Sequence, residues 1–344
     1  MVGANAIMSM FSYVALGRET VLGTQVTATS SMDFISCGFK TSKDSKILEE
    51  LTRTRTYANR ISLGKKIEGE IESYYYPTES AANWLMQNAF GGSVTAATVS
   101  AGASYTHEFL VGDIEAQTYK SLSVGVRKGD ATTGKVFTYS GVRVNEFGLT
   151  GEMEEALKCN FGLIGMDATA GVDQSSVFTM TADKDALSFV GGRFSVEGTV
   201  ASLTTSSFWH VQSVGFKLSN GLKADNDSRR IGSDVLSVLP VGIAKIELTT
   251  KMRFDTTTAY DAMLSGAAMS AEFEFLGSTL AGSATRRGIK LIFPKIYIKD
   301  AGDPEIGGPE EVLMSEVSFD VLRDASSTGG YAVKAIVTNG SAAI

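Results

Sequence analysis

Apolar and polar residues alternate along much of this chain. In LKCNFGL at 157–163 every second residue is apolar, and the same pattern occurs in SEVSFDV at 315–321. Successive side chains of a strand point to opposite faces, so a period of two indicates a strand with one buried face. Such segments recur along both halves of the chain, and they predict a mainly β fold.

The alternating segments follow the same order in the two halves. A strand containing Ile67-Glu68 matches one containing Ile246-Glu247, and a later segment at 105–109 matches 271–275. A chain of 344 residues is long enough for two domains with their own cores. We therefore predict two tandem β-sandwich domains, 1–175 and 176–344, the second with an extra N-terminal segment at 176–208.

Each half also contains one short helical pattern after its matching strand. SAANWLMQNAF at 80–90 follows Pro77-Thr78 and stops at Gly91, and AYDAMLSG at 259–266 follows Asp255 and several threonines. Thr or Asp before a helix and Gly after it are the residues expected at helix ends. One α-helix is therefore expected beside each predicted domain.

Charge and cysteine content narrow the class of protein. The formal net charge of −7 disfavours tight wrapping of nucleic acid, because sequence-independent affinity for DNA comes from Lys and Arg. Two cysteines are too few for a disulfide scaffold. The apolar N-terminal stretch lacks the preceding basic residues of a secretory signal, and no apolar run is long enough for a membrane helix. We expect a soluble protein without membrane insertion.

Residues suited to catalysis or metal binding are scarce. His107 takes the place of Phe273 in the repeat comparison, and His210 follows two aromatic residues, so both are interpreted as packed side chains. Cys37 and Cys159 take the places of valines and are interpreted as core residues. No phosphate-binding, zinc-binding or nucleophile motif occurs. We expect no enzyme activity, no metal and no cofactor.

One strand carries a row of carboxylates. Glu68, Glu70 and Glu72 alternate with small or apolar residues, so all three point to one face. This row could be a solvated face, the acidic lining of a channel, or a carboxylate pair of glycosidase type. The candidates for a channel lining are Glu68, Glu70, Glu72 and Glu247.

Each half has a long polar connection before its matching strand. TSKDSKILEELTRTRTYANR at 41–60 contains embedded apolar residues, and its counterpart at 218–232 is shorter. Connections of this length are either mobile surface loops or functional segments. The functional interpretation is an arm lying on a neighbouring subunit, with candidate residues Ile47, Leu48, Leu51, Arg53, Arg55, Arg60, Arg229 and Arg230.

Several segments resemble those of one viral family. YVALGRETVLGT at 13–24, YTHEFLVGD at 105–113, YSGVRVNEFGLTGEM at 139–153 and RRGIKLIFPKIYIKD at 286–300 are similar to segments of tail tube proteins. Tail tube proteins are also called major tail proteins of long-tailed bacteriophages.

The resemblance implies a function and a set of partners. Family members have a β-sandwich flanked by a helix, and they form stacked rings whose inner strands close into a barrel around a DNA channel. Six such domains usually make a ring, so a tandem chain implies a trimer with pseudo-sixfold symmetry and a long flexible tail. Expected partners are further copies, the tape measure protein, the tail terminator and the baseplate or tail-tip proteins. The chain would be made in the host cytoplasm and reside in the virion, with DNA passing without specific binding.

Three other functions compete with a tail tube. A secreted two-domain adhesin or binding module would need an export signal. An outer-membrane porin shares the alternation, but not the helices and long polar connections. A hydrolase using the carboxylates at 68–72 would lack nearby aromatic platforms for a sugar.

Overall fold

The computed structural model describes residues 9–50, 53, 56–100, 103–129, 134–171, 184–203, 208–254, 256–302, 312–326 and 330–342. The described residues are mainly β, as the alternation predicts. The strands of the first half are β1 (Tyr13–Glu19), β2 (Ser30–Met32), β3 (Ser36–Cys37), β4 (Lys40–Leu48), β5 (Asn59–Tyr74), β6 (Gly91–Ser100), β7 (Ser104–Val111), β8 (Ser121–Lys128), β9 (Lys135–Glu152), β10 (Lys158–Gly165) and β11 (Asp167–Ala170). Those of the second half are β12 (Gly192–Glu197), β13 (Val211–Ser219), β14 (Lys245–Arg253), β15 (Met269–Thr279), β16 (Arg286–Asp300), β17 (Met314–Val321) and β18 (Lys334–Asn339). The α-helices are α1 (Ser80–Phe90) and α2 (Thr258–Ser265).

The two halves contribute the same strand order to one continuous antiparallel sheet. In the first half, β3 and β4 pair with β5, β5 with β10, and β10 with β9. In the second half, β13 pairs with β14, β14 with β17, and β17 with β16. The two sets are joined because β9 pairs with β13. This sheet does not close into a barrel within the described part of one chain.

A second layer of strands also repeats, and it corrects the sequence comparison. β1 pairs with β8 and β8 with β9, just as β12 pairs with β15 and β15 with β16. The counterpart of β15 is therefore β8, whereas the sequence comparison had matched 271–275 with 105–109 in β7. The segment 176–208, expected to be an addition, contains β12, which is the topological counterpart of β1.

The real addition is the hairpin of β6 and β7 in the first half. It follows α1, and β7 pairs with β18 of the second half from Tyr105 opposite Asn339 to Leu110 opposite Lys334. In the second half, β15 follows α2 almost directly. The hairpin thus ties the two halves together through β18, which also pairs with β16. The division into domains at 175/176 stays a prediction.

The apolar faces of these strands pack into one core that crosses the join. Phe147 of β9 lies 5.1 Å from Phe161 of β10 and 6.0 Å from Phe216 of β13, between ring centroids. Phe216 in turn lies 5.8 Å from Phe293 of β16. Burying an aromatic side chain of this size stabilises a fold by roughly 1.5–3 kcal/mol, so the row of rings holds the halves together.

Both predicted helices are confirmed: α1 spans the predicted residues 80–90, and α2 begins at Thr258, one residue before the predicted segment. α1 packs nearly all its residues into the core and ends at Gly91, whose φ of 66° is left-handed. α2 is mostly exposed and ends at Gly266, with a φ of 62°. The residues preceding the helices are Glu79 and Thr257, and neither caps the backbone with its side chain. Asp255 lies outside the described residues.

Candidate functional site: a polar sheet face and two open edges

The continuous sheet has one apolar face in the core and one polar face in solvent. On β5, Ile67 and Ile71 are buried while Glu68 and Glu70 are exposed, because alternate side chains point to opposite sides. Glu72 lies on the same polar face and is half-buried. The three carboxylates predicted to share a face therefore do so.

Glu247 lies on the same polar face, in the second half. Glu72 stands opposite Asn160, and the row continues through Gly148 and Lys217 to Glu247. Four strand spacings of about 4.8 Å separate Glu72 from Glu247, or about 19 Å. The sheet thus places the first-half and second-half carboxylates in one cross-strand row.

Polar and basic partners lie among these carboxylates. Lys217 Nζ is 3.0 Å from Glu146 Oε2 across the join between the halves. The hydrogen bond to Glu146 raises the pKa of Lys217 above its usual value. Asn160 donates to Glu70 at 3.3 Å. The polar face therefore carries both signs of charge, whereas the sequence analysis had singled out its acidic residues only.

Glycines open a shallow trough in the middle of the polar face. The trough has a volume of about 380 Å³ and runs along the join between β9 and β13. Its lining residues include Glu70, Glu146, Gly148, Asn160, Lys217 and Glu247. The sequence analysis identified neither Glu146 nor Lys217. Alternation in NEFGLTGE at 145–152 places Glu146 on the other face of the strand from Phe147, so the pattern alone could have identified Glu146.

The two outer edges of the continuous sheet are open in the described residues. At one end, β3 pairs with β5 on one side only. At the other end, residues 297–300 of β16 pair with β17 on one side. The pairing with β15 on the other side stops at Ile296, so that side of residues 297–300 is open. Unpaired backbone groups at a strand edge are ready to pair with another chain.

The connection at 41–60 is a strand hairpin, which corrects its description as a loop. β4 pairs with β5 from Lys40 opposite Glu68 to Leu48 opposite Asn59. We call the part of this hairpin at 43–63 the arm. Exposed large apolar side chains on the arm are Ile47, Tyr57, Ile61 and Leu63.

The predicted arm residues have different settings. Ile47 and Arg60 are exposed on the paired strands, Leu48 is half-buried, and Arg53 has a left-handed φ of 58°. Leu51 and Arg55 lie outside the described residues. Exposed apolar side chains on a polar hairpin suit contact with another molecule.

The counterpart at 218–232 packs on the first half of the same chain. Arg229 donates through Nη2 to Lys65 O at 2.5 Å and through Nη1 to Asp234 O at 3.0 Å. Lys43 Nζ lies 3.0 Å from Asp234 Oδ2, which lowers the pKa of that carboxyl group. Arg229 therefore anchors its own loop to the base of the arm, whereas Arg230 is exposed.

The described residues offer little support for metal binding, nucleophilic catalysis or a membrane-spanning helix. They contain no cluster of His, Cys, Asp and Glu that could hold a metal ion. Burial raises the pKa of both Cys37 and Cys159, so neither thiol is activated as a nucleophile. His107 is buried, with Nε2 within 2.9 Å of Ser341 O. Neither α-helix in this part of the chain has the length and apolar character needed to span a bilayer.

A comparison with protein families identifies the group to which the chain is related. The family described as phage tail tube protein matches residues 12–321, which include the polar face, both open edges and the arm. No curated protein matches the chain. Since the match covers most of the sequence, the chain belongs to the phage tail tube protein family.

Proposed function

We propose that three copies of this chain close into a ring, and that rings stack into a tube through which phage DNA reaches the host. The observation that carries the proposal is the pairing of β9 with β13, which we call the internal junction. It joins two units of the same strand order, in which β3 and β4 together take the place of one strand. β16 is the counterpart of β9, and β3–β4 are the counterpart of β13. The open edge of β16 therefore fits the open edge of β3–β4 of another chain in the way that β9 fits β13.

Ring closure would satisfy the open edges. A head-to-tail interface closes into a ring when the rotation between units sums to a full turn. Three chains with two units each would give six units and pseudo-sixfold symmetry. Closing the sheet would remove the edges that otherwise risk uncontrolled pairing.

The polar face is the side of the sheet suited to line a channel. Its opposite face is covered by the second strand layer and α1, with a shared core between them. Glu68, Glu70, Glu72 and Glu247 would then point into the channel. Carboxylates repel phosphates, so DNA would slide past without binding, and the net charge of −7 acts in the same direction.

The arm is the proposed contact between rings. A two-stranded hairpin alone is only marginally stable in water, so exposed Ile47, Tyr57, Ile61 and Leu63 would gain from packing on a neighbouring ring. The predicted candidates Leu48, Leu51, Arg53, Arg55, Arg60 and Arg230 belong to the same proposal. Arg229 would contribute by holding the base of the arm.

The family gives the chain a structural role in the tail of the virion. We further propose synthesis in the host cytoplasm, no catalytic activity, and contacts with the tape measure, tail terminator and baseplate or tail-tip proteins at the tube ends. These partners follow from the role of a tube between a capsid and a tip.

Mass measurement tests the assembly. Light scattering on the purified protein should give species that are multiples of three chains of 36.5 kDa each. Variant Ile35→Asp, which places a charge at a position on the open β3 edge that is 45% exposed in the single chain, should leave the chain folded and reduce these species. Folded monomers at every concentration in the wild-type protein would contradict the proposal.

A further inference from the structure

Residues at the β3 edge are partly exposed, whereas the residues at the equivalent positions of β13 are buried. Cys37 stands opposite Ile71 on β5, and Phe216 stands opposite Leu248 on β14. Ile71 and Leu248 hold equivalent places because each lies opposite the central phenylalanine of the next strand. Cys37 is therefore the counterpart of Phe216, which corrects the sequence comparison that had matched it to a valine. Phe216 is buried, whereas Cys37 is only half-buried.

The preceding residue on the same face repeats the contrast. Ile35 is the counterpart of Val214, and 45% of Ile35 is exposed against 3% of Val214. Val214 owes its burial to the internal junction, where it stands opposite Gly151 of β9. Ile35 has no such strand beside it in the described part of the chain.

Two grooves at equivalent places, one beside β13 and one beside β3, differ in volume because only the first has a neighbouring strand. Beside β13, the groove between β13 and Phe275 of β15 also touches Gly151 and Met153 at the end of β9, and it has a volume of about 70 Å³. Beside β3, the equivalent groove between β3 and Val126 of β8 has a volume of about 420 Å³. The larger groove is what remains when the strand equivalent to β9 is absent. A β16 edge from a second copy of the chain would fill it as β9 fills the groove beside β13.

The register of that contact follows from the internal junction. Phe147 and Ile298 are counterparts, since each lies opposite the central phenylalanine of the adjacent strand. The pairing of β16 with β17 skips one residue between Ile298 and Asp300. The next residue on the apolar face is Leu149 in β9 and, after the skipped residue, Ala301 beyond β16.

Resting on the proposed ring, we propose that Cys37 of one chain lies directly opposite Ala301 of the next chain in an antiparallel pair. The internal junction is the template, because there Phe216 stands opposite Leu149. Directly opposite residues of antiparallel strands have Cα atoms about 4.5–5.5 Å apart. That separation lies within the range a disulfide can bridge.

A single cysteine substitution tests the register. Ala301→Cys should form a disulfide with native Cys37 of the adjacent subunit when assembled protein is oxidised. Denaturing gels without reductant should then show dimers and trimers, which a reductant returns to monomers. Cys159 is fully buried and should not compete. Matched controls are Ala301→Ser, which lacks the thiol, and Asp300→Cys, whose side chain points to the polar face.

The outcomes separate the register from the ring. Cross-linking that is at least tenfold stronger for Ala301→Cys than for Asp300→Cys supports the register. Equal or stronger cross-linking of Asp300→Cys, or none from Ala301→Cys in protein that forms rings, overturns the register and leaves the ring standing. Wild-type protein that stays monomeric overturns both.

A measurement on the wild-type protein covers the case in which Ala301→Cys fails to fold. Maleimide labelling of Cys37 should be at least tenfold slower in assembled protein than in protein kept below its assembly concentration. Cys159 should remain unlabelled in both forms. Equal labelling of Cys37 in the two forms would overturn its place in the interface.

Discussion

Single residues on the two faces of the sheet have opposite requirements. On the apolar face the residue type is restricted by packing in the core. On the polar face it is restricted by the side chains on the neighbouring strands. Phe216 and Lys217 are adjacent in sequence, yet one packs on Phe147 and the other pairs with Glu146. The sequence pattern predicts such assignments well because alternation is local. The pairing of Lys217 with Glu146 could not be predicted, because it depends on which strand lies alongside.

Cys159 should make stability fall at alkaline pH. Burial raises the pKa of its thiol above the ordinary value of about 8.5. The folded state therefore keeps the proton longer than the unfolded state. The stabilisation is complete below about pH 8.5 and is lost above it by about 1.4 kcal/mol per pH unit.

The variant Cys159→Val checks this residue, since Val317 fills the equivalent place in the second half. Urea unfolding should show the wild-type protein losing about 1.4 kcal/mol more than the variant between pH 7.5 and 9.5. Burial also raises the pKa of Cys37, which is present in both proteins, and that of Tyr75, whose ordinary pKa of about 10 lies above this range. Equal losses in the two proteins would show that Cys159 is not the titrating group.

At the scale of elements, the sequence predicts strands and helices better than it predicts their partners. Both helices end at the predicted glycines. The connection at 41–60 forms a hairpin because its polar residues pair β4 with β5 outside the core, where no apolar face marks a strand. β7 was matched to β15 for a similar reason, since both alternate and only the observed pairing separates them.

Gly69 allows the close approach of the β3–β4 bend to β5. Its φ is 155°, and a Cβ there would lie 2.5 Å from Gly38 O and 2.6 Å from Phe39 Cα. Gly69→Ala should lower the free energy of unfolding by roughly 1–3 kcal/mol through overpacking. Gly198→Ala is the matched control, because a Cβ on Gly198 meets no atom within 4 Å.

Chemical denaturation of both glycine variants measures the difference. Gly198→Ala should stay within about 0.5 kcal/mol of the wild-type protein. Because Gly69 supports the open β3 edge, Gly69→Ala should also assemble less well than Gly198→Ala. Equal stabilities would mean that the bend moves aside without penalty.

The arm should matter for assembly and not for folding. Ile61 and Leu63 are exposed, so replacing both by Ser should change the stability of the chain by less than about 0.5 kcal/mol per site. Tube formation should fall at least tenfold, because the apolar contact between rings is lost. Leu264→Ser, at an exposed site on α2, is the matched control.

Sedimentation of polymer from monomer gives the readout for the arm. Leu264→Ser should sediment like the wild-type protein. Normal tube lengths from the Ile61→Ser, Leu63→Ser double variant would exclude the arm as the contact between rings.

At the scale of the whole molecule, net charge and the polar face act together on DNA. Replacing Glu68, Glu70, Glu72 and Glu247 by Gln should leave assembly intact, since these side chains lie outside the core. Replacing all four by Lys should make assembled tubes retain short duplex DNA. Retention should fall steeply with salt, because it depends on displacing counterions from phosphates.

Co-sedimentation of tubes with labelled DNA at rising salt compares the three proteins. The wild-type and Gln tubes should retain little DNA at any salt concentration. Lys tubes that retain no more DNA than the wild-type tubes would place these residues away from the channel.

Electron microscopy of polymerised wild-type protein tests the ring most directly. The predicted result is a hollow tube built from rings of three chains, in which each chain supplies two similar units and β16 pairs with β3 of its neighbour. The polar face would line the channel. Rings with another number of chains, or a tube with the polar face turned outward, would contradict the account.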